Sequence, residues 1–265
     1  MTNNVRSSDG TSIAFDRSGE GSPLVLVGGA LSDRSAAASI APLLAEHFTV
    51  FAYDRRGRGD SGDTPPYEVE REVEDLHALM TEAGGSASVF GHSSGAALAL
   101  RAVIDGLAID KLALYEPPFI VDDSRPPVPD DYVEHLDELV SAGRRGDAVA
   151  YFMMTAVGLP PDMVADMRNG EMWPSLEAVA HTISYDGRIL EGTLGGRPIP
   201  AERWAAVKIP TLVMDGGESP PWQHAAVRGL AEALPDARHQ TLESQTHGPA
   251  DDVLVPALVE FFSES

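Results

Sequence analysis

The sequence contains no cysteine among its 265 residues. Without cysteine, a chain can form neither a disulfide framework nor a thiolate nucleophile, and it offers no sulfur ligand to a metal. The H-E-x-x-H pattern of zinc hydrolases is also absent. We therefore expect neither a metal site nor a bound cofactor.

Basic residues are scarce, since 19 Lys and Arg stand against 41 Asp and Glu, giving a formal net charge of −22. Binding to nucleic acid needs cations that replace the counterions of the phosphates, so this charge excludes nucleic acid as a partner and disfavours an anionic membrane. Long apolar runs are missing as well. Residues 1–8 carry no apolar signal segment, and no stretch approaches the roughly 18 residues of a membrane helix. The sequence predicts a cytoplasmic protein with a small-molecule substrate.

Short apolar runs alternate with segments of helical spacing along most of the chain. Pro23–Val27 and Thr49–Tyr53 are continuously apolar, as is typical of strands buried on both faces of a parallel sheet. The Asp9-Gly10 pair predicts a hairpin turn, and thus an antiparallel edge at the start of the chain. The predicted fold class is α/β, a mostly parallel sheet with helices on both faces in one domain.

This alternation stops between Phe119 and Trp204, where a proline-rich stretch leads into further helical segments, among them 147–156 and 176–185. We predict a helical lid at 119–204 inserted into a core formed by 1–118 and 205–265. Methionine is flexible and polarizable, which suits the wall of an irregular apolar pocket. Met153, Met154 and Trp173 are therefore predicted pocket residues, with ordinary helix packing as the alternative.

The segment Gly91-His92-Ser93-Ser94-Gly95 lies between an apolar run and an alanine-rich stretch with helical spacing. This order predicts a strand, a sharp turn and a helix, which is the context of a nucleophile elbow. Such a turn exposes the serine hydroxyl, and the helix that starts at Ser94 directs its N-terminal N–H groups toward the reaction centre. Ser93 is the predicted nucleophile. A Gly-Ser loop without catalytic function is the alternative.

Several segments together resemble the α/β-hydrolase family over nearly the whole chain. The resemblance rests on the loop 26–30, the loop 53–62 with its D-x-R-G-x-G-x-S pattern, the Gly91–Gly95 elbow, the apolar run 210–216, and Thr246-His247-Gly248. It implies that Ser93 attacks a carbonyl and that His247 acts as the base. It also implies that the backbone N–H groups of Ala30 and Ser94 form the oxyanion hole.

The chain departs from the family pattern at two positions. Gly28 stands where the family has the histidine of its His-Gly pair, and Ser219 stands where the family has the acid of its triad. We expect Glu116 to supply that acid, because it is similar in placement to the acid that some members carry after the sixth strand. Glu218 and Asp215 are alternative candidates, and a Ser-His pair without an acid is another.

These observations predict a serine hydrolase that acts on an ester, lactone or thioester of a mostly apolar small molecule. Serine at the elbow disfavours a dehalogenase or epoxide hydrolase, which would carry aspartate there. Two alternatives remain open. One is an acyl-transfer or cyclisation enzyme of small-molecule biosynthesis, and the other is a ligand-binding protein whose catalysis has weakened.

Overall fold

The computed structural model describes residues 2–264, and its centre is one sheet of eight strands. Strands β1 to β8 span Asn3–Arg6, Ser12–Ser18, Pro23–Val27, Thr49–Tyr53, Ala87–His92, Ile109–Tyr115, Thr211–Gly216 and Ala237–Leu242. Their order in the sheet is β1-β2-β4-β3-β5-β6-β7-β8. Strand β2 pairs antiparallel with both β1 and β4, whereas all other pairs are parallel. The predicted mostly parallel sheet with an antiparallel edge is confirmed.

Helices cover both faces of this sheet. Helices α1 to α11 span Ile40–Leu44, Val69–Glu82, Ser94–Ile104, Tyr132–Ser141, Arg145–Phe152, Pro161–Arg168, Trp173–Ala178, Ile183–Ile189, Ala201–Trp204, Pro221–Ala233 and Asp251–Ser263. Neighbouring strand residues point to opposite faces, so Val25 packs with Leu98 of α3 while Leu24 packs with Leu258 of α11. Helices α2 and α10 lie on the α3 face, and α1 lies on the α11 face. Within residues 2–264, no helix has the length and apolar character needed to cross a bilayer.

The residues from 119 to 204, which we call the insertion, connect β6 to β7 and contain helices α4 to α9. Most of its buried side chains, from Ile120 to Ile183, form an apolar cluster of their own, whereas the cluster on the α3 face of the sheet also includes Phe119, Val121, Ile189, Leu190 and Trp204. The insertion therefore has its own core and is also joined to the sheet by apolar packing. Its function as a lid over the site, with the bounds 119–204, stays a prediction.

Two predicted helices are interrupted in the structure. Residues 36–47 have the apolar spacing of one helix, but a 3-10 turn at Arg34–Ala37 precedes α1, because the Asp33 side chain accepts a hydrogen bond from the Ser35 N–H and starts the turn early. The predicted helix 176–185 is divided among α7, a 3-10 turn and α8. There the Thr182 hydroxyl donates to the Val179 carbonyl, 2.8 Å away, and competes with regular helix geometry. Apolar spacing alone does not reveal such local side-chain bonds.

Candidate active site

Ser93 occupies a strained turn between β5, which ends at His92, and α3, which starts at Ser94. Its backbone dihedrals are φ 57° and ψ −126°, a combination that residues other than glycine rarely adopt. The glycines on either side permit close backbone packing: a Cβ on Gly95 would lie 2.3 Å from the Val27 oxygen, and one on Gly91 would lie 2.6 Å from the Ala96 Cα. The turn therefore holds Ser93 at the N-terminus of α3.

Glu116 is the carboxylate that the structure brings to His247. It follows β6 directly with a positive φ of 46°, and it is fully buried. Its Oε2 lies 2.6 Å from His247 Nδ1. Its Oε1 accepts hydrogen bonds from the Gly216 N–H at 2.8 Å and from the Ser219 hydroxyl at 2.5 Å. Ser219, which stands where the family has the acid of its triad, thus donates a hydrogen bond to Glu116, which follows the neighbouring strand β6.

The charge state of Glu116 follows from these contacts. Burial raises the pKa of a carboxyl group, but the hydrogen bonds from His247, Gly216 and Ser219 outweigh burial and hold the pKa of Glu116 below its ordinary value of 4.5. Glu116 is therefore an anion at neutral pH. An anionic carboxylate at Nδ1 fixes the orientation of the imidazole and stabilises its protonated form.

The other two candidate acids have different surroundings. Glu218 is exposed to solvent. Asp215 ends β7 with its side chain buried, and its carboxylate lies 2.6 Å from His224 Nδ1 and 3.0 Å from His239 Nε2. Asp215 thus links two histidines other than His247. Among the described residues 2–264, no group of three or more His, Asp or Glu side chains is arranged to hold a metal ion.

His92, next to Ser93, supports the loop that carries His247. Its Nε2 lies 2.9 Å from the His247 carbonyl oxygen, and the two rings are 4.7 Å apart. Burial, and next the neighbouring His247, lower the pKa of His92 to about 4. His92 is thus neutral at pH 7 and donates its Nε2–H to that carbonyl. The Tyr115 hydroxyl donates in the same way to the Thr246 carbonyl, so two side chains position this loop.

Ser93, His247 and Glu116 line one cavity of about 810 Å³, together with Ala30 and Ser94. The rest of its wall is mainly apolar and includes Trp222 of α10 as well as residues from two larger regions. The insertion contributes Tyr132, Phe152, Met153, Ala156, Val157, Leu176 and Leu190, and the α1/α11 side contributes Ile40, Ala52, Phe90 and Leu254. Gly28 also lines the cavity, and a Cβ at this departure from the family pattern would lie 2.8 Å from the Ser32 Oγ, so the glycine permits close packing within the loop.

The predicted pocket walls need correction at two of three positions. Met153 lines the cavity, but the side chain of Met154 is directed to solvent, with 39% of the residue exposed. Trp173 is buried in the core of the insertion, where its Nε1 donates to Glu177 at 2.8 Å. Adjacent helical residues point about 100° apart, so Met153 and Met154 do not share one face, and a π-helical turn at Met153–Val157 follows α5 here. Sequence spacing alone did not show which of these faces is directed to the cavity.

Sequence reasoning missed a network of buried arginines in the loop after β4. Arg55, Arg56 and Arg58 are each at most 2% exposed. Arg55 forms two hydrogen bonds with Glu72 of α2, at 2.7 and 2.8 Å, and a third with Asp186 of α8 at 2.7 Å. The sequence signal that could have revealed this network is three arginines within four residues of a strongly acidic chain, because a buried guanidinium needs a carboxylate partner.

Comparison with solved structures supports the same architecture. An alpha/beta hydrolase from Sphaerobacter thermophilus is 59% identical, with 98% of this chain and 100% of that chain covered and a TM-score of 0.91. An enol-lactonase from Burkholderia xenovorans is 24% identical, with coverages of 99% and 100% and a TM-score of 0.73. An esterase from Thermogutta terrifontis, solved with malate bound, is 20% identical, with coverages of 99% and 98% and a TM-score of 0.74.

The last two structures share the fold at low sequence identity, whereas the first is similar in both sequence and structure. At the level of sequence, the family model of the alpha/beta hydrolases matches residues 24–257. This range contains the elbow, Glu116 and His247, as well as strands β4 to β8 and all but the first residue of β3. The protein therefore belongs to the alpha/beta hydrolase family.

Proposed function

We propose that this protein is a serine hydrolase that cleaves an ester, lactone or thioester of a mostly apolar small molecule, with Ser93, His247 and Glu116 as its catalytic triad. The observation that carries the proposal is the 2.6 Å contact between His247 Nδ1 and a buried, anionic Glu116, in the cavity that Ser93 also lines. The esterase and the enol-lactonase that share this fold are consistent with such a substrate.

In the proposed mechanism, Ser93 Oγ attacks the carbonyl carbon while His247 Nε2 accepts the hydroxyl proton. The oxyanion receives hydrogen bonds from the N–H groups of Ala30 and Ser94, and each donor lowers the barrier by about 3 kcal/mol when aimed at the developing charge. His247 then protonates the leaving alcohol or thiol. Water repeats the sequence on the acyl-enzyme, while Glu116 keeps the His247 proton on Nδ1.

The cavity indicates which substrates suit the site. Its volume of about 810 Å³ is that of a small-molecule site, and its walls come from the insertion and from the α1/α11 side. We infer that the substrate carries apolar groups on both sides of its carbonyl. The guanidinium of Arg34 lines the cavity too, but it already pairs with Asp16, Asp54 and Asp60. An uncharged substrate is therefore favoured over a carboxylate.

The first test of this proposal is covalent labelling. A fluorophosphonate should modify Ser93, and the adduct should be located by mass spectrometry. Ser93→Ala should abolish labelling, and Ser93→Ala or His247→Ala should each lower kcat by about 10⁴-fold or more, with little further loss in the double variant because the two residues act together. Ser39→Ala, at another serine that lines the cavity, should label normally. If the folded protein stays unlabelled, the ligand-binding alternative replaces the hydrolase.

Glu116 and Glu218 form a matched pair for testing the acid. Glu116→Gln should lower kcat by about 10⁴-fold, because an imidazole without an anionic partner loses its tautomer and its charge stabilisation. Glu218→Gln, at the exposed alternative, should keep wild-type turnover, and circular dichroism should verify that both variants fold. The opposite pattern would assign the acid to Glu218, and unchanged rates in both would indicate a Ser-His pair.

Ser219 should stabilise the fold through the charge of Glu116. Ser219→Ala should lower the free energy of unfolding by about 2 kcal/mol at about pH 7, the usual value for a hydrogen bond to a charged group. The folded-state pKa of Glu116 is depressed, so this stabilisation exists above the ordinary pKa of 4.5 and is lost as the pH falls through the lower folded value.

Urea unfolding of Ser219→Ala and wild type at a series of pH values measures this effect. Ser184→Ala is the control, since Ser184 is also buried but donates to the neutral carbonyl of His181. The stability loss in that variant should not depend on pH in the same window. A loss in Ser219→Ala that is equal at every pH would mean that Ser219 does not act through the Glu116 charge.

Met153 and Met154 are adjacent residues of the same type, so variants at the two positions give a matched test of the pocket wall. Met153→Ala enlarges the cavity, so the ratio of kcat/KM for long-chain over short-chain esters should rise about tenfold, the effect of roughly one methylene. Met154→Ala, at the exposed neighbour, should leave that ratio unchanged. Both variants should retain Ser93 labelling. If the two variants have the same ratio of kcat/KM for long-chain over short-chain esters, Met153 does not contact the substrate.

A further inference from the structure

The carbonyl oxygen of Gly29 is held by a buried cation. Arg58 Nη1 donates to it at 2.6 Å, and the Ser32 hydroxyl donates to it at 2.8 Å. This carbonyl belongs to the same peptide unit as the Ala30 N–H, one of the two proposed oxyanion donors. In a planar trans peptide the C=O and N–H bonds point in opposite directions. Fixing the Gly29 carbonyl therefore fixes the direction of the Ala30 N–H.

Arg58 is itself held by the insertion. Its side chain is only 1% exposed, its Nη2 lies 2.6 Å from Asp186 of α8, and its Nε donates to Thr182 at 3.2 Å. Burial raises the pKa of Asp186, but Arg58 and Arg55 outweigh burial and keep that pKa below its ordinary value. The carboxylate is therefore an anion that anchors the guanidinium of Arg58.

Asp186 also contacts the residue that carries the second proposed oxyanion donor. The Ser94 hydroxyl donates to Asp186 Oδ1 at 2.7 Å, while Arg58 bonds to Asp186 Oδ2. One carboxylate of the insertion thus connects to Ser94 directly and to the Gly29–Ala30 peptide through Arg58. These contacts fix both donor-bearing segments relative to each other.

We propose that Arg58 is a positioning residue of the oxyanion hole, anchored by Asp186. This inference rests on the proposed serine hydrolase function. Arg58 keeps the Ala30 N–H directed at the site of the developing negative charge, so no reorganisation is needed during the reaction. Its positive charge on the carbonyl end also polarises the peptide and makes the N–H a stronger donor. The insertion therefore contributes to catalysis as well as to the pocket wall.

Arg56 provides a matched control in the same loop. It is fully buried and forms two hydrogen bonds with Asp75, at 2.8 and 2.7 Å, and one with Asp9 at 3.0 Å. Its partners lie in α2 and the first hairpin, away from the oxyanion loop. Replacing Arg56 removes a buried guanidinium and leaves carboxylates behind, as replacing Arg58 does. The comparison separates loss of stability from loss of oxyanion binding.

The test compares Arg58→Met with Arg56→Met. One measurement is turnover of a p-nitrophenyl ester that the wild type accepts. The other is the affinity for the trifluoromethyl ketone with the same acyl chain relative to that for the methyl ketone. Ser93 adds to the trifluoromethyl ketone, its proton moves to His247, and the carbonyl oxygen becomes a stable oxyanion, whereas the methyl ketone reports ground-state binding.

Arg58→Met should lower kcat by about 10²-fold, the effect of losing one oxyanion donor, with KM nearly unchanged. It should weaken trifluoromethyl ketone binding by a similar factor and leave methyl ketone binding intact. Arg58→Lys, which keeps the charge, should recover part of both losses. Arg56→Met should unfold more easily than wild type but keep the wild-type kcat and the wild-type ratio of ketone affinities.

If Arg58→Met does not fold, Ser32→Ala provides a second test, because it removes the other hydrogen-bond donor to the Gly29 carbonyl. Ser32 is partly exposed, so this variant should fold. It should lower kcat and trifluoromethyl ketone affinity together by a smaller factor. Equal kinetic losses in Arg58→Met and Arg56→Met, or unchanged ratios of ketone affinities in Arg58→Met and Ser32→Ala, would overturn the inference. Failure of the serine hydrolase function itself would be seen separately, as a wild type without Ser93 labelling or ester turnover.

Discussion

Close packing of the α3 N-terminus against the end of β3 is the constraint on which the site depends. A Cβ at Gly95 would lie 2.3 Å from the Val27 carbonyl oxygen, so only glycine lets the two backbones approach this closely. This approach sets the distance between the Ser93 turn and the loop that follows β3. In the parallel sheet, β6 and β7 end at the same edge, and the loop after β8 places His247 there. The site thus arises where five parallel strands end together.

Buried charge connects this edge to the insertion. Three buried guanidiniums are costly to remove from water, and breaking one such pair costs about 3–5 kcal/mol because the remaining charge is left without its partner. The loop of Arg55, Arg56 and Arg58 meets this requirement with carboxylates from α2, α8 and the first hairpin. As a result the insertion is joined to the sheet at α8 by ion pairs as well as by the apolar packing of Ile189 and Leu190. In the proposed function, this one segment supplies both part of the pocket wall and the carboxylate that anchors Arg58.

The sequence predicted the elements whose signals are local. Strands β3 and β4 are continuous apolar runs, and α3 follows a Gly-x-Ser-x-Gly turn, so the bounds of both strands and the start of α3 agree with the prediction to the residue. The wall of the pocket was harder to predict, because local spacing does not tell which face of a helix is directed to the cavity, and Met153 lines it while Met154 does not. The bond between Arg58 and Asp186 joins residues 128 positions apart, and no periodic pattern encodes such a pair. For the acid, the sequence left three candidates, and the structure brings the favoured one, Glu116, to His247.

The position of that acid illustrates what the chemistry requires. Strands β6 and β7 are adjacent and parallel, with Tyr115 opposite Met214, so residues after their ends lie about 4.8 Å apart. An acid that follows β6 instead of β7 can therefore reach the same nitrogen of His247, provided that its side chain is long enough, as that of glutamate is. At this position Glu116 has a positive φ, which costs about 1–2 kcal/mol for a residue with a Cβ. The Gly216 N–H at the end of β7 and the Ser219 hydroxyl in the loop after it offset this cost by donating hydrogen bonds to the Glu116 carboxylate. What matters for the imidazole is a fixed anion at Nδ1, and either strand can provide it.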